Sequence, residues 1–184
     1  MTRIASIAPE RMSEAQRHLH ERVAKTGRGA SGGPWAVLLH VPEVGERLAA
    51  VVEQLMAETR VAQKLKRLAV LTIAQAYGAQ YEWAVHEPRA RFFGLDETII
   101  EALRTGARPE FLDANDALVY TLARQLAHEH ALDTALHQQA VRALGDEAVV
   151  ELVALVGFYI GLAVLLVAYD VPAPNGATPL PARA

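Results

Sequence analysis

Apolar residues recur every three or four positions along most of this chain, and that spacing predicts helices rather than strands. The pattern is clear from Trp35 to Arg60 and again from Ala62 to Val85. No run of alternating apolar and polar residues bounded by hairpin turns occurs in the sequence. We therefore predict an all-α fold of six to eight helices.

Within these two stretches the prolines and the apolar spacing suggest finer detail. The first helical stretch is expected to break near Pro42, and the second to kink or restart at Pro88, because proline lacks the N–H that a helix interior uses. The predicted buried face of the first stretch consists of Val44, Leu48, Val51, Val52 and Leu55.

Capping residues predict where the other helices begin. Ser13 and Gln16 have the spacing of a capping box, which starts a helix that we expect Gly27 to end. Four further helical stretches follow an aspartate, whose carboxylate can accept hydrogen bonds from the free N–H groups of a first turn. These aspartates are Asp96, Asp113, Asp133 and Asp146.

The segment Leu152–Tyr169 carries no formal charge over eighteen residues, which is close to the minimum length for a membrane span. It also contains Gly157 and Gly161, spaced as small residues are in packed membrane helices. The flanking residues are the acidic Glu151 and Asp170, with no basic anchor at either end. We therefore predict a core helix, and its apolar character on all sides also indicates burial against another subunit.

Length and composition indicate one domain. A chain of 184 residues, 52% hydrophobic and 21% charged, can bury one substantial core, which we place at residues 1–170. Four prolines after Val171 predict that residues 171–184 form an extended or disordered arm.

Composition also excludes several kinds of chemistry and partner. The chain has no cysteine, so it offers no thiolate nucleophile, no disulfide and no thiolate-bound zinc. Its net charge of −3, without a basic cluster, argues against a nucleic-acid partner. His128 and His130 point to different sides of a helix, so they do not form a metal site together. We expect no metal and no other cofactor. The N-terminus lacks the apolar run of a secretion signal, so we expect a cytoplasmic protein without a membrane partner.

Glu82 and His86 are the strongest candidates for chemistry. They lie four residues apart on a predicted helix, so their side chains share one face. A carboxylate beside an imidazole is a candidate acid/base pair, because the pKa of imidazole lies near neutrality. The alternative is a structural helix histidine paired with its neighbouring carboxylate.

Five other side chains are candidates for contact with a small substrate. Arg67 and Arg89 could hold a substrate carboxylate, although a structural ion pair is the alternative for each. Tyr81, Trp83 and Tyr159 could line an apolar pocket, although core packing explains aromatic residues at these positions equally simply.

The segment Glu82–His86, followed by Ala90 and the pair Gly94–Leu95, resembles the carboxymuconolactone decarboxylase family. The superfamily of that family also includes the alkylhydroperoxidase D-like (AhpD-like) proteins. The likeness covers about residues 61–107. It implies an AhpD-like helical domain that assembles as a homo-oligomer, either a trimer or a hexamer.

The resemblance also shows where this sequence departs from the family. The redox branch carries Cys-x-x-Cys with a histidine four residues after the second cysteine. With its histidine placed on His86, the cysteine positions fall on Ala79 and Glu82, and its upstream relay glutamate falls near Arg67. The non-redox branch has a glutamate four residues before the histidine, as Glu82 is here. That branch has an arginine two residues after the histidine, where this chain has Pro88 followed by Arg89.

The resemblance therefore implies a cofactor-free, non-redox lyase or isomerase that acts by proton transfer on a small carboxylated or lactone-like molecule. In this hypothesis a basic residue holds the substrate carboxylate, His86 protonates a dienolate, and Glu82 sets the histidine tautomer. A non-catalytic or small-molecule-binding family member is the alternative, and Pro88 favours it. A peroxidase-type activity is a third hypothesis, against which the absence of cysteine argues.

Overall fold

A computed structural model of the chain describes residues 2–26, 32–57, 59–174, 177 and 179–181. Within these residues the chain forms nine α-helices and no strand, which confirms the all-α class and shows that the predicted number of helices was too low. A short 3-10 turn, Pro9–Arg11, precedes them. The helices are α1 Glu14–Lys25, α2 Gly33–Leu38, α3 Pro42–Leu55, α4 Gln63–Tyr77, α5 Gln80–Phe92, α6 Glu97–Thr105, α7 Ala114–Glu129, α8 Thr134–Leu144 and α9 Asp146–Ala168.

The predicted helix from Ala62 to Val85 is in fact two helices, α4 and α5. Gly78 adopts the left-handed conformation at φ +66° and ends α4, which only glycine does without steric cost. Helix α5 then continues through Pro88 to Phe92, so the predicted restart at Pro88 was wrong. Pro88 is exposed, so its ring meets solvent rather than a packed neighbour.

Local capping rules describe most helix starts correctly. Ser13 and Gln16 form both bonds of the predicted capping box. Three of the four predicted aspartate caps accept backbone N–H bonds, namely Asp96, Asp113 and Asp133. Asp146 is the exception, because it is the first residue of α9 and Gly145 holds the cap position. Helix α1 ends at Lys25, and Gly27 lies outside the described residues.

The buried face of α3 differs from the predicted one. Gly45, Ala49 and Val52 are buried, whereas Val44 and Val51 are about half exposed. The reason is close packing against α1: a Cβ on Gly45 would lie 2.4 Å from a methyl carbon of Leu19. Gly45 and Ala49 therefore face the interior with Val52, whereas Val44 and Val51 face outward.

Helix α4 is the centre of the fold. It packs against α5, α6, α7 and α9, and every residue from Leu65 to Ala74 is buried. A polar side chain on a helix that is enclosed on all sides needs a hydrogen-bond or ion-pair partner, because a buried polar group without one is destabilising.

Lys66 meets this requirement through four contacts of its ammonium group. The Nζ atom donates to the carbonyl oxygens of Leu55 and Ala57, at 2.8 Å each, and to the hydroxyl of Thr59 at 2.7 Å. It also forms an ion pair with Glu151 of α9 at 3.0 Å. Since Leu55 is the last residue of α3, this lysine joins the ends of three helices.

Helix α9 has one buried side and one exposed apolar side. It packs against α4 through residues such as Leu155 and Tyr159, whereas Val150 and Val164 are exposed. Among the described helices it alone is long and apolar enough to cross a membrane, by length and composition only. Within the chain, 44% of its most apolar window is buried, so the predicted core helix is buried on one side only.

Part of the predicted C-terminal arm is docked on the domain. The side-chain amide of Gln80 accepts from the backbone N–H of Leu180 and donates to its carbonyl, at 2.8 and 3.0 Å. The Leu180 side chain is buried. The described end of the arm is therefore held beside the α4–α5 turn.

We predict that Lys66→Met destabilises the chain by about 3–5 kcal/mol, because it leaves Glu151 and the end of α3 without their shared cation. Arg60→Met is the matched control, since Arg60 also pairs with a glutamate of α9, Glu147, but both of these side chains are exposed. Urea unfolding should show a loss below about 1 kcal/mol for that control. Equal losses in the two variants would contradict the role given to Lys66.

The same network predicts a dependence on pH. Burial acts to raise the pKa of the Glu151 carboxyl, but hydrogen bonds from Thr59 and Lys66 outweigh it and hold the pKa below its usual value. This contribution to stability is present above the usual glutamate pKa of about 4.3 and is lost as the pH falls through the lower folded-state value. The Glu151→Gln variant should therefore not show this loss of stability when its unfolding is measured at falling pH.

Candidate active site

A cavity of about 160 Å³ lies between α4, α5 and α9, with α2 and the end of α3 closing it. Its polar lining consists of Thr26, Arg67, Tyr81, Glu82, His86, Arg89 and Tyr159, and its apolar lining of Pro34, Trp35, Val52, Met56, Val85 and Leu162. All the site residues predicted from the sequence except Trp83 therefore lie around one cavity.

Glu82 and His86 are in contact on α5, one helical turn apart. The distance between Glu82 Oε1 and His86 Nε2 is 3.2 Å, and both side chains are almost completely buried. His86 contacts Arg67 of α4 and Tyr159 of α9, so this side of α5 faces those two helices.

Arg67 approaches the other nitrogen of the imidazole. It lies on α4, and its Nη1 is 3.1 Å from His86 Nδ1, while its Nη2 donates to Gln63 at 3.2 Å. A guanidinium can only donate hydrogen bonds, so Nδ1 must accept and the proton of a neutral imidazole must be on Nε2. This Nε2–H then donates to Glu82. The contacts therefore fix one tautomer of His86 between a cation and a carboxylate.

The protonation state of His86 follows from its surroundings. Burial is the largest effect and lowers the pKa of the imidazole, while the hydrogen bond and the charge of Glu82 oppose this effect. The nearby charges of Arg67 and Arg89 lower the pKa further. With a pKa below its usual value, His86 is neutral at pH 7, in agreement with the tautomer that the hydrogen bonds require.

Two tyrosines complete the polar wall. The ring of Tyr159 on α9 makes an edge contact with the imidazole of His86, with ring centroids 5.2 Å apart. Burial, followed by the charge of Glu82, raises the pKa of the Tyr81 phenol, so this hydroxyl keeps its proton at neutral pH. Tyr81 rests against Gly33, where a Cβ would lie 2.1 Å from a ring carbon.

Arg89 provides a second cation beside the cavity. The Nη1 atom of Arg89 donates a hydrogen bond of 3.1 Å to the carbonyl oxygen of Val85, one helical turn earlier. A guanidinium has five N–H donors, so this backbone contact leaves others for a ligand. Because α5 continues through Pro88, Arg89 reaches the cavity from the same helix as Glu82 and His86.

Trp83 does not contribute to the cavity. It is fully buried in the core, and its indole N–H has no hydrogen-bond partner among the described residues. Its side chain is not among those that line the cavity, whereas the adjacent Glu82 is. Trp83 is therefore a core residue and not a candidate for contact with a substrate in this cavity.

Sequence reasoning missed the apolar half of the cavity. Trp35, Val52 and Leu162 come from α2, α3 and α9, which are far from the Glu82–His86 motif in the sequence. It also missed Gly33, which the ring of Tyr81 approaches closely. A glycine pair before a proline and a tryptophan was the available signal for close packing.

Comparison with known proteins supports both the fold and the resemblance. The model of the carboxymuconolactone decarboxylase family matches residues 42–123, a segment that includes Arg67, Glu82, His86 and Arg89. This range extends on both sides of the expected 61–107. No curated protein matches the chain.

A solved structure extends the likeness to nearly the whole chain. It is described as the alkylhydroperoxidase AhpD core of an uncharacterized peroxidase-related protein from Ralstonia eutropha JMP134. The TM-score is 0.75, the sequence identity is 14%, and the match covers 95% of this chain and 93% of the other. At this identity the comparison establishes a shared fold, which confirms the predicted AhpD-like architecture.

We predict that His86 stays neutral, with its proton on Nε2, when the pH falls below 6.5, the usual histidine pKa. The reason is its burial between Arg67 and Glu82. Long-range ¹H–¹⁵N correlation spectra of the imidazoles measure this directly, and His86→Gln assigns the signal. A doubly protonated ring above pH 6.5, or a proton on Nδ1, would contradict the tautomer assignment.

We also predict that Gly33→Ala destabilises the chain by about 1–3 kcal/mol and displaces Tyr81, because the new methyl group collides with the ring. Gly94→Ala is the matched control, since Gly94 also has a positive φ but has open space beside it. The loss of stability in Gly94→Ala therefore measures the cost of placing alanine at a positive φ, without a collision. If thermal unfolding shows the same loss for both variants, the collision with Tyr81 has no effect.

Proposed function

We propose, on the match of residues 42–123 to the model of the carboxymuconolactone decarboxylase family, that this cysteine-free chain is a member of that family and a cofactor-free enzyme of the lyase or isomerase type. Its reaction is proton transfer on a small carboxylated or lactone-like molecule. The observation that carries the proposal is the buried hydrogen-bonded series Arg67–His86–Glu82 beside a cavity.

The substrate class follows from the size and charge of the cavity. A volume of about 160 Å³ admits only a small molecule. Arg89 has donors to spare for a substrate carboxylate, and the fork shape of a guanidinium matches a carboxylate with two parallel hydrogen bonds. The apolar walls from Trp35, Met56 and Leu162 suit an unsaturated carbon skeleton and keep water away from the acid/base pair.

The contacts favour Glu82, rather than His86, as the group that exchanges a proton with the substrate. Both ring nitrogens of His86 are engaged, one by Arg67 and one by Glu82. Glu82 uses one carboxylate oxygen for that bond and has a second oxygen for the substrate. This assignment reverses the roles in the sequence hypothesis, because His86 becomes the residue that positions Glu82.

In an isomerisation the carboxylate of Glu82 takes a proton from a carbon next to a carbonyl group. The electron pair of the broken C–H bond moves into the substrate and forms an enolate. The protonated Glu82 then returns the proton to a different carbon, which restores its own charge. Such general acid/base catalysis contributes about 10²–10⁴-fold in rate, so the two arginines must stabilise the enolate charge as well.

In a decarboxylation the electron pair of the C–CO₂ bond forms the dienolate as CO₂ leaves. A proton must then reach the carbon from the protonated form of Glu82, and solvent restores that proton afterwards. An apolar cavity favours this step, because it disfavours the localised charge of the substrate carboxylate more than the delocalised charge of the dienolate. The same residues therefore serve either reaction.

Binding without catalysis is the second candidate function. It is favoured by the same engagement of both His86 nitrogens, since a fully satisfied hydrogen-bond network is also a purely structural arrangement. Peroxide reduction through thiols is not proposed. The redox-branch cysteine positions hold Ala79 and Glu82, and the chain contains no cysteine at any position.

The proposal is tested by solvent deuterium exchange into a panel of small unsaturated carboxylic acids, keto acids and lactones, followed by ¹H NMR. We predict that the wild-type chain catalyses exchange into at least one compound and that Glu82→Gln lowers the rate by about 10²–10⁴-fold. Glu87→Gln is the matched control, because Glu87 is also buried on α5 but pairs with Arg91, away from the cavity.

The outcomes separate the two candidate functions. Exchange that is lost in Glu82→Gln and kept in Glu87→Gln supports the acid/base role. A compound that binds the wild-type chain without exchange or conversion supports the binding function instead. Equal activity of the Glu82→Gln variant and the wild type would overturn the assignment of Glu82.

A further inference from the structure

The outer side of α9 carries an exposed apolar stripe in the described structure. Its members are Val150, Val153, Gly157, Gly161, Val164 and Val167, and all six are exposed to solvent. Their spacing of three or four residues places them on one side of the helix over about 26 Å. An apolar surface of this length on a globular chain marks a site of association.

The centre of the stripe is open. A Cβ built on Gly157 or on Gly161 would meet no atom within 4 Å in the described part of the chain. Each glycine costs about 1 kcal/mol relative to alanine in a helix, so packing within the monomer does not explain them. Small residues do permit two helix backbones to approach closely.

The ends of the stripe argue for a protein partner rather than lipid. Glu147 and Glu151 lie at the first end and Asp170 at the second. Among the described residues, the exposed arginines beside these ends are paired with carboxylates, which leaves none of them free to anchor the helix at anionic headgroups. Arg60 pairs with Glu147, and Arg3 pairs with Asp170 at 2.6 Å. Each end therefore presents an exposed pair of an arginine and a carboxylate.

We propose that this stripe is the contact between two copies of the chain, with the two α9 helices antiparallel. The order of residue types along the stripe is Val-Val-Gly-Gly-Val-Val, which reads the same in both directions. An antiparallel copy therefore places Val150 opposite Val167, Val153 opposite Val164, and Gly157 opposite Gly161. Such self-complementarity is what a two-fold symmetric interface requires.

The charges support the same orientation. In the antiparallel arrangement the pair Arg60–Glu147 of one copy lies near the pair Arg3–Asp170 of the other, so each arginine faces a second carboxylate. The helix dipoles are also opposed, which is favourable. This contact gives a dimer, or a hexamer if three dimers associate through another surface, but it does not by itself give a trimer.

Sedimentation equilibrium over about 1–100 µM tests the association. We predict a dimer, and we predict that Val164→Glu raises its dissociation constant at least about tenfold, because the interface would bury an unpaired charge. Val44→Glu is the matched control, since Val44 is 50% exposed and Val164 is 51% exposed, but Val44 lies on α3. Circular dichroism confirms that both variants remain helical.

Engineered cysteines test the orientation, and the natural absence of cysteine leaves no competing thiol. Val150→Cys and Val167→Cys should cross-link to each other under mild oxidation when the two variants are mixed. Neither variant should cross-link to itself, because its two copies of the cysteine would lie about 26 Å apart. Self-linked dimers of each variant would indicate a parallel contact and overturn the antiparallel proposal.

The remaining outcomes also decide the question. A wild-type chain that stays monomeric at 100 µM overturns the proposal, as does a dimer that weakens equally in Val164→Glu and Val44→Glu. A monomer that sediments with neutral phosphatidylcholine vesicles, and loses this binding in Val164→Glu, would assign the stripe to lipid instead. None of these results depends on whether the chain is an enzyme.

Discussion

The buried ammonium group of Lys66 is the contact on which the arrangement around the cavity depends. It binds the end of α3 through the carbonyls of Leu55 and Ala57, and it binds α9 through Glu151. The next residue on α4 is Arg67, which contacts His86. Because Lys66 fixes α4 against α3 and α9, it holds Arg67 in place relative to the cavity walls that those two helices supply, so a contact outside the cavity maintains the geometry within it.

Local interactions are the part of this structure that could be predicted from the sequence. The caps at Asp96, Asp113 and Asp133 depend only on residues two or three positions away. The contact between Glu82 and His86 likewise depends only on their separation of one helical turn. Where the backbone geometry of a single helix determines the contact, the spacing of residues in the sequence is sufficient to predict it.

Contacts between helices could not be predicted in the same way. Val44 and Val51 of α3 were assigned to the wrong side because the nearness of α1, which Gly45 permits, is a tertiary feature. The sequence suggested Arg67 as a substrate anchor, but not that it meets Nδ1 of His86 from a different helix. That contact changes the chemistry, because it fixes the tautomer and leaves Glu82 as the group available to a substrate.

The positions of the two tryptophans have a spectroscopic consequence. Trp35 lines the cavity, whereas Trp83 lies fully buried in the core without a hydrogen-bond partner among the described residues. The chain has only these two indoles. Emission from Trp35 is therefore sensitive to a molecule that enters the cavity, and the blue-shifted emission of Trp83 reports whether the core is intact. A Trp83→Phe variant would make the remaining fluorescence a direct optical signal of ligand occupancy.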